Sequence, residues 1–180
     1  MSEYLSPNFT LDEMIYSDTA KAKKINNSPT EVHKKVLKHT CQYLLEPLRA
    51  LLNEKYKTYN GKQVKKVTIK VTSGYRSAAL NAAIPGSAKN SQHCQGCAAD
   101  IEATVVYMNN VKNIIPYTTL YEDIKRWVKE GRLSVDQCIQ ERSGSSKWVH
   151  VSHSSWGKSK DRRQFLKYLN GRYTLDVDLA

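Results

Sequence analysis

Residues 64–73 read VKKVTIKVTS, with Val67, Ile69 and Val71 on alternate positions and polar residues between them. Successive side chains of an extended strand point to opposite faces, so this spacing predicts a strand with one buried face. Helices should precede it. Thr10-Leu-Asp-Glu13 and Ser28-Pro-Thr-Glu31 both have the form of a capping box, the second with Pro29 at the first helical position. After Ser28, the apolar positions Val32, Val36, Leu37, Tyr43, Leu44, Leu48, Leu51 and Leu52 keep a helical stripe to about Asn53, bent or broken near Pro47. Beyond the strand, Ser77-Ala-Ala-Leu-Asn-Ala-Ala reads as a short helix, 85–92 as loop, CAADIEA (97–103) as a second strand, and Thr118–Glu130 as an amphipathic helix ended by Gly131. DQCIQE (136–141) and KWVHVS (147–152) predict a hairpin across RSGSS, and Lys160 to Tyr168 a helix. This order points to an α+β fold: a small, mostly antiparallel sheet with the N-terminal helices packed on it.

At 180 residues, 40% apolar and 25% charged, the chain suits one soluble domain. The start, MSEYLSPNFTLDEM, has neither a basic n-region nor an apolar run, and no stretch approaches a membrane span. Synthesis is therefore expected to finish in a cytosol without a signal peptide, with no membrane insertion. Twenty-eight basic against 17 acidic residues leave a net charge of +11, which draws a protein toward polyanions such as nucleic acid, anionic lipid or acidic cell-wall polymers. No groove-reading motif or stacking pattern accompanies the charge, so no specific nucleic acid is expected. Four cysteines (Cys41, Cys94, Cys97, Cys138) are too few and too unevenly placed for a disulfide scaffold.

The densest chemistry lies in SQHCQGCAAD (91–100). A structural zinc site needs two paired knuckles, and only one Cys-x-x-Cys is present; a redox pair belongs at a helix N-terminus, whereas Cys94 and Cys97 lead into a strand. His93 and Asp100 suggest a different site. Gly96 lets the loop turn, small Ala98 and Ala99 allow close packing, and His150 in the later strand supplies a third ligand. Two imidazoles and one carboxylate leave a coordination position open on Zn²⁺, the arrangement of a catalytic site. His33, His39 and His153 carry no such pattern and read as surface or satisfied core.

SGYRS (73–77), then S-x-H-x-x-G-x-A-x-D from Ser91 to Asp100, then DQCIQE followed by Trp148-Val-His150, resembles the zinc D-alanyl-D-alanine carboxypeptidases, vancomycin-resistance D,D-dipeptidases and L-alanyl-D-glutamate phage endolysins. The likeness is greatest to compact phage-type members and runs from about Phe9 to His153, taking in LEPLR (45–49). It implies a Hedgehog/DD-peptidase-like fold and a single zinc peptidase domain over 1–180, with a helical part (1–60), a catalytic core (64–153) and a tail (154–180). It also implies one Zn²⁺ on His93, Asp100 and His150. Arg76 would stabilise the oxyanion or a substrate carboxylate, and Ser91 would help orient substrate.

Many relatives carry a glutamate general base three residues before the last histidine ligand, where this chain has Lys147. In the compact members the acid ends the preceding strand, which is the place of Glu141. If Glu141 pairs with Trp148, then Glu141 and His150 share a face; a one-residue slip would put Gln140 there instead. The function implied is hydrolysis of a stem-peptide bond of peptidoglycan, with the protein, a monomer, acting at the wall after holin release or as a virion component. The alternatives are a non-catalytic wall-binding or virion module of the same fold, which Lys147 would favour, and, on charge and tyrosine content, a nucleic-acid binder.

Overall fold

A computed structural model describes residues 3–154 and 160–179; residues 155–159 of the expected tail lie outside it. The chain opens with a small separate hairpin, β1 (Tyr4–Ser6) and β2 (Phe9–Thr10). Helix α1 (Leu11–Ile15) follows, and the Thr10 hydroxyl accepts the Glu13 N–H at 3.2 Å, as the first capping box predicts. After α2 (Asp18–Ala22), the next start lies two residues later than the sequence suggests. The Thr30 hydroxyl, not that of Ser28, accepts the His33 N–H and opens α3 (Glu31–Thr40), while the Ser28 N–H is bound by the Asn26 side chain.

Helix α3 runs through a single π-helical stretch, Cys41–Leu45, into α4 (Glu46–Lys55), with Pro47 in the first turn of α4. The wide turn absorbs the hydrogen bond that proline cannot make, so the helix continues instead of breaking. It also rotates the apolar stripe, which leaves Tyr43 exposed; Val32, in the first turn of α3, is exposed as well.

The remaining elements are β3 (Thr58–Tyr59), β4 (Lys62–Ser73), α5 (Ala78–Ala83), β5 (Ala98–Tyr107), β6 (Lys112–Ile114), α6 (Tyr117–Lys129), β7 (Gln137–Ser143), β8 (Ser146–Ser152), β9 (Gln164–Leu169) and β10 (Arg172–Asp178). Among the described residues the main sheet has eight strands in the order β10-β9-β7-β8-β5-β4-β3, with β6 on the free edge of β5. Val67, Ile69, Val71, Ile101, Val149 and Val151 form its apolar face, in one core with Leu48 and Leu52 of α4 and Tyr121 and Trp127 of α6. The opposite face carries the candidate site.

Two expectations are corrected here. The sheet is larger than expected and mixed, because β9 runs parallel to β7. The segment expected to be a helix, Lys160–Tyr168, instead supplies β9, and with β10 it forms a hairpin along the outer edge of β7. Buried Phe165, packed edge-on against Tyr121 at 5.8 Å, fixes the inward face of β9. Asp136 anchors the entry to the hairpin: it accepts the Arg162 backbone N–H at 3.0 Å and the Arg162 guanidinium at 2.5–3.1 Å, and its own carbonyl accepts the Gln164 N–H at 3.0 Å.

Candidate metal centre and cleft

Strand register assembles the site. Across neighbouring strands Ser73 lies opposite Asp100, Asp100 opposite His150, and His150 opposite Ile139. One step along, Trp148 lies opposite Glu141, Glu141 opposite Tyr168, and Tyr168 opposite Tyr173. Directly paired residues share a face, and residues two apart on one strand do as well, so both rows point to the face away from the helices. The register that places Glu141, not Gln140, beside His150 is the one observed; Gln140 pairs with Val149 on the other face.

His93 reaches the row from a separate support, a 3₁₀ turn over Gln92–Gln95 just before β5. The Ser91 hydroxyl caps that turn by accepting the His93 N–H at 3.3 Å, and Gly96 ends it in the left-handed region (φ +79°). The His93 carbonyl accepts the N–H groups of Arg76 and Gly96, both at 3.2 Å, which ties the turn to the SGYRS segment. The ring is oriented by Nδ1, which lies 2.7 Å from the Gly74 carbonyl, so Nε2 presents its lone pair to the cleft.

His93 Nε2 and His150 Nδ1 are 3.2 Å apart, His93 Nε2 and Asp100 Oδ1 3.2 Å, and His150 Nδ1 and Asp100 Oδ1 3.0 Å. An ion bound tetrahedrally through nitrogen and oxygen at ~2.0 Å requires ligand separations of about 3.3 Å, so the buried triangle is close to the size such an ion needs. The three donors could hold a metal ion. Asp100 presents Oδ1 to them while Oδ2 accepts from Arg76 Nη2 at 2.8 Å, and Arg76 Nε donates to Ser73 Oγ at 2.9 Å. Burial pushes the Asp100 carboxyl up, but His93 and His150 outweigh it and hold the group well below the usual carboxylate range. The Gly74–His93 bond and the Ser73–Arg76–Asp100 relay are the kind of outer support that fixes metal ligands.

These side chains open into a cleft of about 260 Å³ that also contains Glu141, Trp148, Tyr168 and Tyr173. Glu141 is 9% exposed. Burial and then the Asp100 charge push its carboxyl up to about 7, against the opposing pull of His150 and Arg76. The buried indole N–H of Trp148 also favours the charged carboxylate, without reaching hydrogen-bond geometry. Arg76 lines the cleft as expected, although two of its nitrogens are bound to Ser73 and Asp100. Ser91 lines it too, with its hydroxyl engaged in the cap.

Lys147 lies elsewhere. Three residues before His150 on a strand, it points to the opposite face, where its ammonium sits 5.8 Å from the Tyr117 ring and borders a separate, larger groove of about 670 Å³. The cysteines are free thiols, and neither Cys94 nor Cys97 belongs to the donor cluster. Burial raises both thiols, Cys97 to about 11, so neither is a ready thiolate. His33 packs on Tyr75, and His39 stacks on His153, away from the triangle. Tyr168 and Tyr173 were not foreseen as cleft residues; the alternation of Leu166 and Tyr168 was the available signal, but it is short.

No helix among the described residues is long and apolar enough to cross a membrane. No curated protein and no solved structure matches the chain. A family model described as Peptidase M15 matches residues 7–122, nearly two thirds of the length, and includes His93 and Asp100. On that match, the chain belongs to the Peptidase M15 family.

Proposed function

We propose that the protein is a zinc-dependent peptidase that hydrolyses a stem-peptide bond of peptidoglycan, with His93, Asp100 and His150 as metal ligands and Glu141 as general base. The observation that carries this reading is the buried donor triangle, of a size suited to zinc, opening into the same cleft as a carboxyl poised near neutrality. Zinc, when bound, would supply Lewis-acid polarisation of the scissile carbonyl and acidify a coordinated water. Glu141 takes the proton from the attacking water and returns it to the leaving amine, a task for which a pKa near the working pH is suited. Arg76 keeps Asp100 aimed at the metal, and Nη1, which makes no hydrogen bond among the described residues, is the group available for a substrate carboxylate.

Substrate class and setting rest on the resemblance to wall-cleaving zinc peptidases and on the +11 charge, which favours adsorption to anionic wall polymers. A phage lysin, holin-released or virion-borne, fits both. The register puts Glu141 in the cleft and Lys147 outside it, which favours an enzyme over a non-catalytic binding module.

The test is turnover of purified muropeptides followed by mass spectrometry, with chelator and with zinc restored. Hydrolysis should require zinc, and Glu141→Gln should lower kcat on the order of a thousandfold while zinc remains bound. Turnover indifferent to chelator, or wild-type protein that neither binds zinc nor cleaves, would sink the reading.

A further inference from the structure

Hydrolysis at this site has one further catalytic need. As water adds to the scissile carbon, a C–O bond forms and the carbonyl π pair moves onto oxygen; the C–N bond then breaks, and the amine leaves with the proton Glu141 had taken. The charge on that oxygen needs a protein donor beside the metal. Arg76 has its Nε bound to Ser73 and its Nη2 to Asp100, at 2.9 and 2.8 Å, which leaves Nη1, the group assigned above to a substrate carboxylate.

We propose that Tyr173 is a further catalytic residue, whose phenol O–H donates to the scissile carbonyl oxygen as it becomes negative; this inference rests on the function proposed above. Three observations converge. Tyr173 closes the row Trp148–Glu141–Tyr168–Tyr173 and lines the cleft that holds the donor triangle. Its ring packs on Tyr168 at 4.6 Å, which holds it beside the residue paired with Glu141. The phenol also lies within electrostatic reach of Glu141, Asp100 and Arg76. At 53% exposed, Tyr173 sits at the rim, where an incoming substrate can meet it. Burial of the hydroxyl, then Glu141 and Tyr168, push it up to about 12, so it keeps its proton at neutral pH.

Tyr173 belongs to the C-terminal hairpin, beyond the residues that match the family. Its test is Tyr173→Phe, which keeps the ring and its packing on Tyr168 and removes only the hydroxyl. With zinc content unchanged, kcat should fall on the order of a hundredfold and KM by less than about threefold. Affinity for a phosphinate analogue of the same peptide, measured by calorimetry, should fall by a similar factor, while affinity for the substrate in the Glu141→Gln background stays level. A kcat within threefold of wild type, or a loss confined to KM, would overturn the assignment and leave Tyr173 as a binding surface. Wild-type protein without turnover would instead fail the Proposed function, and the phosphinate titration, which needs no turnover, would still decide for or against Tyr173.

Discussion

Gly74→Ala tests whether the SGYRS segment is built for contact rather than for turning. No left-handed φ is involved at Gly74, so alanine meets no backbone penalty there, and it should bring ~0.4–1 kcal/mol from reduced unfolded-state entropy. The obstacle is space. A Cβ at this position would lie 2.3 Å from the Met14 carbonyl oxygen, 3.0 Å from its carbon and 3.1 Å from its Cα, all backbone atoms of the segment after α1 begins. Relief requires a shift of roughly an ångström, since packed heavy atoms approach no closer than ~3.3–3.5 Å. That shift strains the Tyr75 N–H bond to Met14 O, now 2.7 Å, and moves the Gly74 carbonyl that orients His93 at 2.7 Å. Overpacking of this kind costs about 1–3 kcal/mol and a weakened hydrogen bond about 1 more, so a net loss of about 2 kcal/mol is expected. Disturbing the outer partner of a ligand histidine should lower metal affinity about 10–100-fold. Urea unfolding with chelator present, and calorimetric titration of the folded protein with zinc, measure the two effects separately. Stability within 0.5 kcal/mol of wild type together with unchanged zinc affinity would refute both the close-approach and the His93-orientation arguments.

Glu141 should make the metal-free protein pH-sensitive. Its folded pKa of about 7 is raised from 4.5, so the folded state prefers the protonated acid: this stabilisation is whole below pH 4.5 and is lost as pH rises through 7. Glu141→Gln should therefore gain on wild type by roughly 2.5 kcal/mol between pH 5 and pH 8 in chelator, and equal pH slopes for the two proteins would contradict the burial argument. Asp136 behaves in the opposite sense: Arg162 and Gln92 hold its carboxyl below the usual range despite burial, so its contribution is present above pH ~4 and lost on acidification through the folded value. Because Arg162 is half exposed, Asp136→Ala is expected to cost about 2 kcal/mol rather than the larger penalty of a fully buried pair, and to make the C-terminal hairpin the first site of limited proteolysis. Arg76→Lys keeps the charge but cannot hold Ser73 and Asp100 in one planar fork, so zinc affinity should fall about tenfold in the same calorimetric titration.

What the sequence made legible was local or carried by periodicity. The Thr10 cap, the β4 alternation and the Ser91–Asp100 run each depend on neighbouring residues, and the structure reproduces their geometry. Glu141 needed more, because its face depends on the turn that sets the β7–β8 register, and a one-residue slip would have reversed it. The C-terminal hairpin was illegible for a physical reason. QFLKYL contains a short apolar run compatible with either helix or strand, and the choice is made by the open edge of β7, which the run itself does not encode. Tyr168 and Tyr173 could not be placed in the cleft without that edge.

The same dependence shapes how the site comes into being. His93 and Asp100 are seven residues apart and share β5 and its preceding turn, but His150 meets them only when β8 pairs with β5, and Glu141 only when β7 pairs with β8. Two of the three metal donors can therefore form early from local chain, whereas the third donor and the base await the long-range pairing. A metal held by all three donors would place its binding free energy on the β5–β8 register and oppose any slip that would turn His150 or Glu141 to the helix face. Gly144 and Ser145 close a two-residue turn between β7 and β8, and a metal held at His150, two residues from Trp148, would align the same register from the other end.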